Sequence, residues 1–241
     1  MSGRVAIVTG AAVRLGRAVA LTLAERGVHV VVHYGRSAEA AAKTCQEIHE
    51  HGSEAIAVQA DLLDPVGASQ RIVQAALDEF GRADILINSA AIFEAGSLAE
   101  TDDDLWDRHF AINLKSPAFL CREFMRRLGA DQNGHIVNIA DWRATRPGSG
   151  HLAYTLTKSG IVTLTKSLAR ELAPGVQVNA IAPGAILPPP GADDDTLSKL
   201  SRNIPLRRTG SVGEVTQALV FLLASDFITG EVIHVSGGEE L

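Results

Sequence analysis

The chain reads as an α/β protein: a Rossmann-type, doubly wound parallel sheet of about seven strands flanked by helices on both faces. Three observations carry that expectation. Short β-branched runs alternate with longer helical patterns along the whole chain. The runs are apolar nearly throughout, as strands buried on both faces are. Strand–helix–strand units that return to one parallel sheet also require right-handed crossovers. With 241 residues, 46% of them hydrophobic, no linker-like shift in composition and no repeat, residues 1–241 are expected to form a single domain with a substantial core.

Taken in order, "RVAIVTG" is the first strand, and residues 14–26 form an amphipathic helix ended by Gly27. "VHVVVHY" is the second strand, 37–51 a helix closed by Gly52, and "EAIAVQAD" the third strand. A helix over about 65–80 leads into "ADILINSA", and one long helical region over about 101–128 precedes "HIVNIAD". A helix over 152–172 is followed by "VQVNAIAPG", and a helix at 211–224 by the closing strand "EVIHVSGG". Between those last two units, "PGAILPPPGADDD" at 183–195 is too rich in Pro, Gly and Asp to continue a strand or helix. It follows the carboxyl end of a strand, where open α/β sheets bind ligands. A substrate-covering loop over about 185–205 is therefore expected, against the plainer reading of a surface excursion.

A net charge of −6 gives no global support to nucleic-acid binding. Cys45 and Cys121 fall in helical stretches far apart in sequence, which argues against a disulfide framework. None of the eight histidines shows ligand spacing, His49 and His51 included, so no metal is expected. The segment "MSGRVAIVTG" enters a strand without a charged leader, and no apolar run approaches the ~20 residues that span a bilayer. A cytoplasmic protein with no membrane partner is the resulting expectation.

The first strand ends in "TGAAVRLGRA". Gly10 can make a tight turn, and Gly16 can let a pyrophosphate approach the helix start, where unpaired N–H groups and the helix dipole favour an anion. Tyr154 and Lys158 lie four apart at the start of a helix, hence on one face. An ammonium group beside a phenol favours phenolate, so Lys158 is expected to lower the tyrosine's pKa from its usual ~10. At the end of the second strand an NAD site wants an acidic residue. The chain has "HYGRS" there, where Arg36 and Ser37 can instead donate to a 2′-phosphate, which favours NADPH.

The motifs "TGxxxxxG", "NSAA" at 88–91, Asn113, Tyr154-x-x-x-Lys158 and "PG" at 183–184 stand in an order that resembles the short-chain dehydrogenase/reductase family over essentially the whole chain. The resemblance implies Tyr154 as catalytic acid, Lys158 as holder of the nicotinamide ribose, and Asn113 in a water-linked proton relay. It also implies cofactor contacts at Gly10, Leu15, Gly16, Ser89, Ala90, Ala91, Pro183 and Gly184, with Asp61 and Leu62 at the adenine. The family usually has glycine where Arg14 stands, so Arg14 is read either as a donor to the pyrophosphate and substrate or as an exposed helix-start arginine. A homotetramer is implied too, through helices around 107–128 and 152–172, with the tail "VSGGEEL" suited to a neighbour's site.

Asp141 is the departure. The family usually has a serine there, which donates to the substrate carbonyl as its oxygen becomes negative. A carboxylate suits that oxyanion poorly unless it stays protonated, but it suits delivery of a proton to the nitrogen of a C=N bond. The substitution resembles pteridine reductases and dihydromonapterin reductases. So do "TGAAxRLG" with Arg14, "HYxRSA" with His33, Tyr34, Arg36 and Ser37, and Phe93, whose ring would stack on a flat pterin. The substrate residues are then Arg14, Phe93, Asp141 and Tyr154. The plainer readings are an ion pair of Asp141 with Arg143 or Arg146 and a simple apolar contact for Phe93. The leading expectation is an NADPH-dependent dihydropterin reductase. The alternatives are a carbonyl or 3-oxoacyl-thioester reductase with Asp141 held neutral, and a non-catalytic NADPH-binding regulator, against which the intact Tyr–Lys pair argues.

Overall fold

The computed structural model describes residues 1–129, 133–188 and 199–241. Seven parallel strands are ordered β3-β2-β1-β4-β5-β6-β7: β1 Val5–Val8, β2 His29–Tyr34, β3 Ala55–Gln59, β4 Ile85–Asn88, β5 Gly134–Ile139, β6 Val176–Pro183 and β7 Val232–Val235. The order runs one way from β1 to β3 and the other from β4 to β7. The switch between β1 and β4 opens the crevice at the strands' carboxyl ends in which such sheets bind ligands.

Alternating side chains feed two cores. From β1, Ala6 and Val8 join Val19 and Leu23 of α1 (Arg14–Ala24), Ile48 of α2 (Ala38–Glu50) and Leu219. Val5 and Ile7 face the other way, against Ile72 of α3 (Pro65–Phe80) and Phe124. β1 and β4 are buried along their full length, as their apolar runs require, whereas the edge strands β3 and β7 are partly exposed because each has one neighbour only.

The long helical region comes in three pieces: α4 (Asp103–Phe110), a π-helical turn (Ala111–Lys115) and α5 (Ser116–Arg127). Pro117 has no N–H to return to the carbonyl of Asn113 four residues back, so the α ladder breaks there. The extra residue of the turn carries Asn113 inward, where it is buried. Next come a 3₁₀ turn at Trp142–Ala144 and α6 (Leu152–Leu172), then α7 (Val212–Ala224), opened by a capping box between Ser211 and Glu214. Of the loop expected over about 185–205, residues 189–198 lie outside the described residues.

Candidate active site

At the switch point the phosphate turn is shaped by backbone. Gly10 adopts φ 66°, and a Cβ there would sit 3.0 Å from Ala90 Cα, while one on Gly16 would overlap the Gly10 carbonyl. Thr9 Oγ1 accepts from the N–H groups of Ser89 (2.9 Å) and Ala90 (3.0 Å), clamping the ends of β1 and β4 together. No side chain caps α1 and no acidic residue stands in its first turn, which leaves the helix start suited to a phosphate. His33 is buried beneath the turn. Its Nδ1 accepts from Gly10 N–H at 3.2 Å and its Nε2 faces the Ala60 carbonyl at 3.2 Å, an arrangement that needs a neutral ring; burial lowers its pKa accordingly. A cavity of 680 Å³ opens beside it, lined by Arg36, Asp61, Leu62 and Ala90 among others, with no carboxylate at the end of β2.

Ala91, Ile92 and Glu94 form a wall common to this cavity and a second one of 590 Å³, lined further by Arg14, Phe93, Asp141, Tyr154 and Glu239. Several fixed contacts build the second cavity. Asn113 holds the main chain of Ile92 at both ends, accepting its N–H at 2.9 Å and donating to its carbonyl at 3.0 Å. Gly96 bonds to Gly150 and Leu152, which brings the loop after β4 against the start of α6. Phe93 thereby stacks on His151 (centroids 4.1 Å apart, 15°) and meets the Tyr154 ring edge-on at 4.7 Å.

Asp141 divides its two oxygens between its neighbours. Oδ2 accepts the Tyr154 hydroxyl at 2.7 Å; Oδ1 accepts the Arg143 N–H at 2.8 Å, with the Arg143 guanidinium 3.6 Å away. Burial, followed by the charge and hydrogen bond of Asp141, raises the Tyr154 pKa well above 10. Lys158 is buried, donates to the Ile139 carbonyl at 2.7 Å, and has its pKa lowered by burial to about 8. Its ammonium lies 5.7 Å from the Tyr154 ring centroid. The expected lowering of the tyrosine's pKa is thus reversed, because burial and the Asp141 carboxylate outweigh the opposing charge of Arg143.

The family model described as enoyl-(acyl carrier protein) reductase matches residues 10–240. The chain belongs to the short-chain dehydrogenase/reductase family. Among curated relatives of this family, the 3-oxoacyl-[acyl-carrier-protein] reductase FabG of Staphylococcus epidermidis is 35% identical over 97% of both chains. The 3-oxoacyl-[acyl-carrier-protein] reductase of Synechocystis is 37% identical over 99% of this chain and 97% of its own. Among solved structures, FolM alternative dihydrofolate reductase 1 from Brucella canis, complexed with NADP, superposes with a TM-score of 0.94 at 34% identity, covering 98% of this chain and 94% of that one. A short-chain dehydrogenase from Burkholderia cenocepacia, also in complex with NADP, gives a TM-score of 0.92 at 33% identity over 100% and 99% of the two chains.

Against the family's expected roles, Gly10, His33, Arg36, Asp61, Leu62, Ala90 and Ala91 line the first cavity, whereas Leu15 and Tyr34 are partly buried against the core. Ser37 sits exposed before α2 without capping it, so its hydroxyl is available to a ligand. Pro183 ends β6, and Gly184 lines the reacting cavity. Arg14 adopts φ 54°, the left-handed region that favours the glycine usual there, at a cost of roughly 1–2 kcal/mol. Its guanidinium donates to the Pro188 carbonyl at 2.6 Å, fastening the phosphate turn to the loop after β6. The tail reaches the cavity of its own chain: it turns at Gly237 and Gly238 (φ 65° and 94°) and lays Glu239 in the lining. The reading of the sequence missed Glu239 and His151. His151 precedes α6 in a non-helical conformation, so the helical spacing that identified Tyr154 and Lys158 could not place it.

Proposed function

We propose that the protein is an NADPH-dependent reductase that adds hydride to a C=N bond of a dihydropterin-like ring. The observation that carries this reading is the 2.7 Å hydrogen bond from the Tyr154 hydroxyl to Asp141 in the wall of the reacting cavity. A hydroxyl bound to a carboxylate is poorly arranged to stabilise a carbonyl oxygen that becomes negative, and a carboxylate beside that oxygen repels it. A ring nitrogen that needs a proton places no such demand. NADPH is supported by Arg36 and by the absence of an acid at the end of β2, and both solved neighbours described above hold NADP. The uncapped start of α1, beyond the turn at Gly10, offers unpaired N–H groups to its pyrophosphate.

When bound, NADPH supplies the hydride that reaches the carbon of the C=N bond. Tyr154, kept protonated at neutral pH by its raised pKa, donates its proton toward the ring nitrogen, directly or through one water. Asp141 orients the hydroxyl and relays the replacement proton. Lys158 spends one N–H on Ile139 and offers the others to the ribose. The Asn113 side chain is committed to Ile92, so its relay role falls to its main-chain carbonyl. Phe93, stacked on His151 and with the Arg143 guanidinium 5.5 Å from its centroid, lines the cavity in which a flat substrate would lie. The homotetramer and cytoplasmic setting belong to the same proposal.

A second reading, a 3-oxoacyl-thioester reductase, is favoured by the names of the Staphylococcus and Synechocystis relatives. A substrate panel followed by NADPH oxidation separates the two. Dihydrobiopterin and dihydromonapterin are expected to exceed acetoacetyl thioesters in kcat/KM by at least about tenfold, roughly 1.4 kcal/mol in transition-state binding. The reverse order would overturn the pterin reading in favour of the second.

A further inference from the structure

One carboxylate of the reacting cavity has no part in the chemistry above. Glu239 enters from the last turn of the chain and is half-buried. Its Oε2 accepts the Ala185 N–H at 2.7 Å, and its main-chain carbonyl accepts Arg146 Nη1 at 2.8 Å, which ties the tail to the segment that carries Asp141. Among the described residues no donor is seated on Oε1. Burial raises its pKa, the bond from Ala185 and the charge of Arg143 oppose that rise, and Asp141 adds to it. An ionised carboxylate accepts hydrogen bonds and never donates them. Its complement is a substrate edge made of N–H groups.

We propose that Glu239 is the specificity-determining carboxylate of this cavity, accepting hydrogen bonds from the exocyclic amine and adjacent ring N–H of a 2-aminopyrimidinone edge. The proposal rests on the pterin reading and deepens it. Glu239 shares its cavity with Phe93 and with the Asp141–Tyr154 pair, so a flat ring lying against Phe93 can present one edge to the proton donors and another to Glu239. A site built to pair N–H groups rejects analogues that lack them, because its own polar atoms are then left unpaired. A 3-oxoacyl chain has no donor pair for Glu239.

The test compares wild type with E239Q and E239D on three substrates at saturating NADPH: 7,8-dihydrobiopterin, 7,8-dihydrolumazine (which has oxygen in place of the 2-amino group) and phenanthrenequinone. Glutamine keeps an oxygen for Ala185 N–H but turns a donor toward the substrate's donors. E239Q is expected to raise KM for dihydrobiopterin at least tenfold with kcat little changed, and to erase the preference for dihydrobiopterin over dihydrolumazine. The aspartate variant should fall between. NADPH binding and thermal unfolding serve as controls for folding. An unchanged preference in E239Q, or an equal loss on all three substrates, would overturn the role of Glu239 while leaving pterin reduction standing. Wild-type enzyme that reduces the quinone but neither pteridine would overturn the pterin reading and this proposal with it.

Discussion

The two ends of the groove are made of different material. At the adenine end the shape is set by main chain: the turn at Gly10, the N–H groups of Ser89 and Ala90 clamped on Thr9, and the uncapped start of α1. At the reacting end it is set by side chains from well-separated segments, with Phe93, Asp141, Tyr154 and Glu239 converging on one cavity. A main-chain cradle depends on backbone conformation at a few positions and tolerates side-chain change elsewhere. A side-chain cavity can be retuned by one substitution at a time, which is how reductases of one fold come to differ in substrate.

That contrast can be broken experimentally, starting with its largest effect. Tyr154→Phe removes the proton donor and is expected to lower kcat by about 10²–10⁴-fold, with NADPH binding retained, as stopped-flow turnover and cofactor titration would report. Retained turnover would remove Tyr154 from the chemistry. At the other end, Arg36→Asp should weaken NADPH by on the order of 100-fold and NADH far less, since it puts an acid beside the 2′-phosphate; fluorescence titration of both cofactors reads the preference. An unaltered preference would contradict the cofactor assignment. The third effect is smaller and links the two ends. Lys158 holds its proton below about pH 8 and loses it above, so the ammonium proposed to hold the ribose is present at neutral pH and lost as pH rises. The kcat/KM profile should therefore fall above pH 8, whereas Tyr154 stays protonated over the same range. A profile level to pH 10 would exclude the lysine's role.

The adenine end was legible from sequence because its parts are local. Gly10 and Gly16 follow one strand, and the missing acid at "HYGRS" is a matter of reading one turn. Even there, the ring of His33 proved to be a neutral strut between Gly10 and Ala60, and that of Tyr34 a core contact. At the reacting end, Tyr154 and Lys158 were identifiable by spacing, but the direction of the tyrosine's pKa was not. It depends on burial and on Asp141, which a helix-face argument does not contain. For Asp141 a pairing with Arg143 or Arg146 was the plainer expectation; Arg143 does hold one oxygen, but the bond of the other to the Tyr154 hydroxyl was not foreseen. The tail that carries Glu239 was expected at a neighbour's site, and nothing local says that the chain turns back at Gly237 and Gly238 to reach its own cavity. The helical region over 101–128 was recognised as helix, while the π turn that buries Asn113 needed the missing N–H of Pro117 to be weighed against the ladder.

Asp141 bears most of the functional argument, and Asp141→Ser tests it most directly. The measurement is kcat/KM for 7,8-dihydrobiopterin and for an acetoacetyl thioester, in wild type and variant, by NADPH oxidation. Serine restores a hydroxyl donor for a carbonyl oxygen and removes the carboxyl relay for a ring nitrogen. Pterin reduction should fall by on the order of 100-fold while thioester reduction holds or rises. Parallel losses on both substrates would contradict the account.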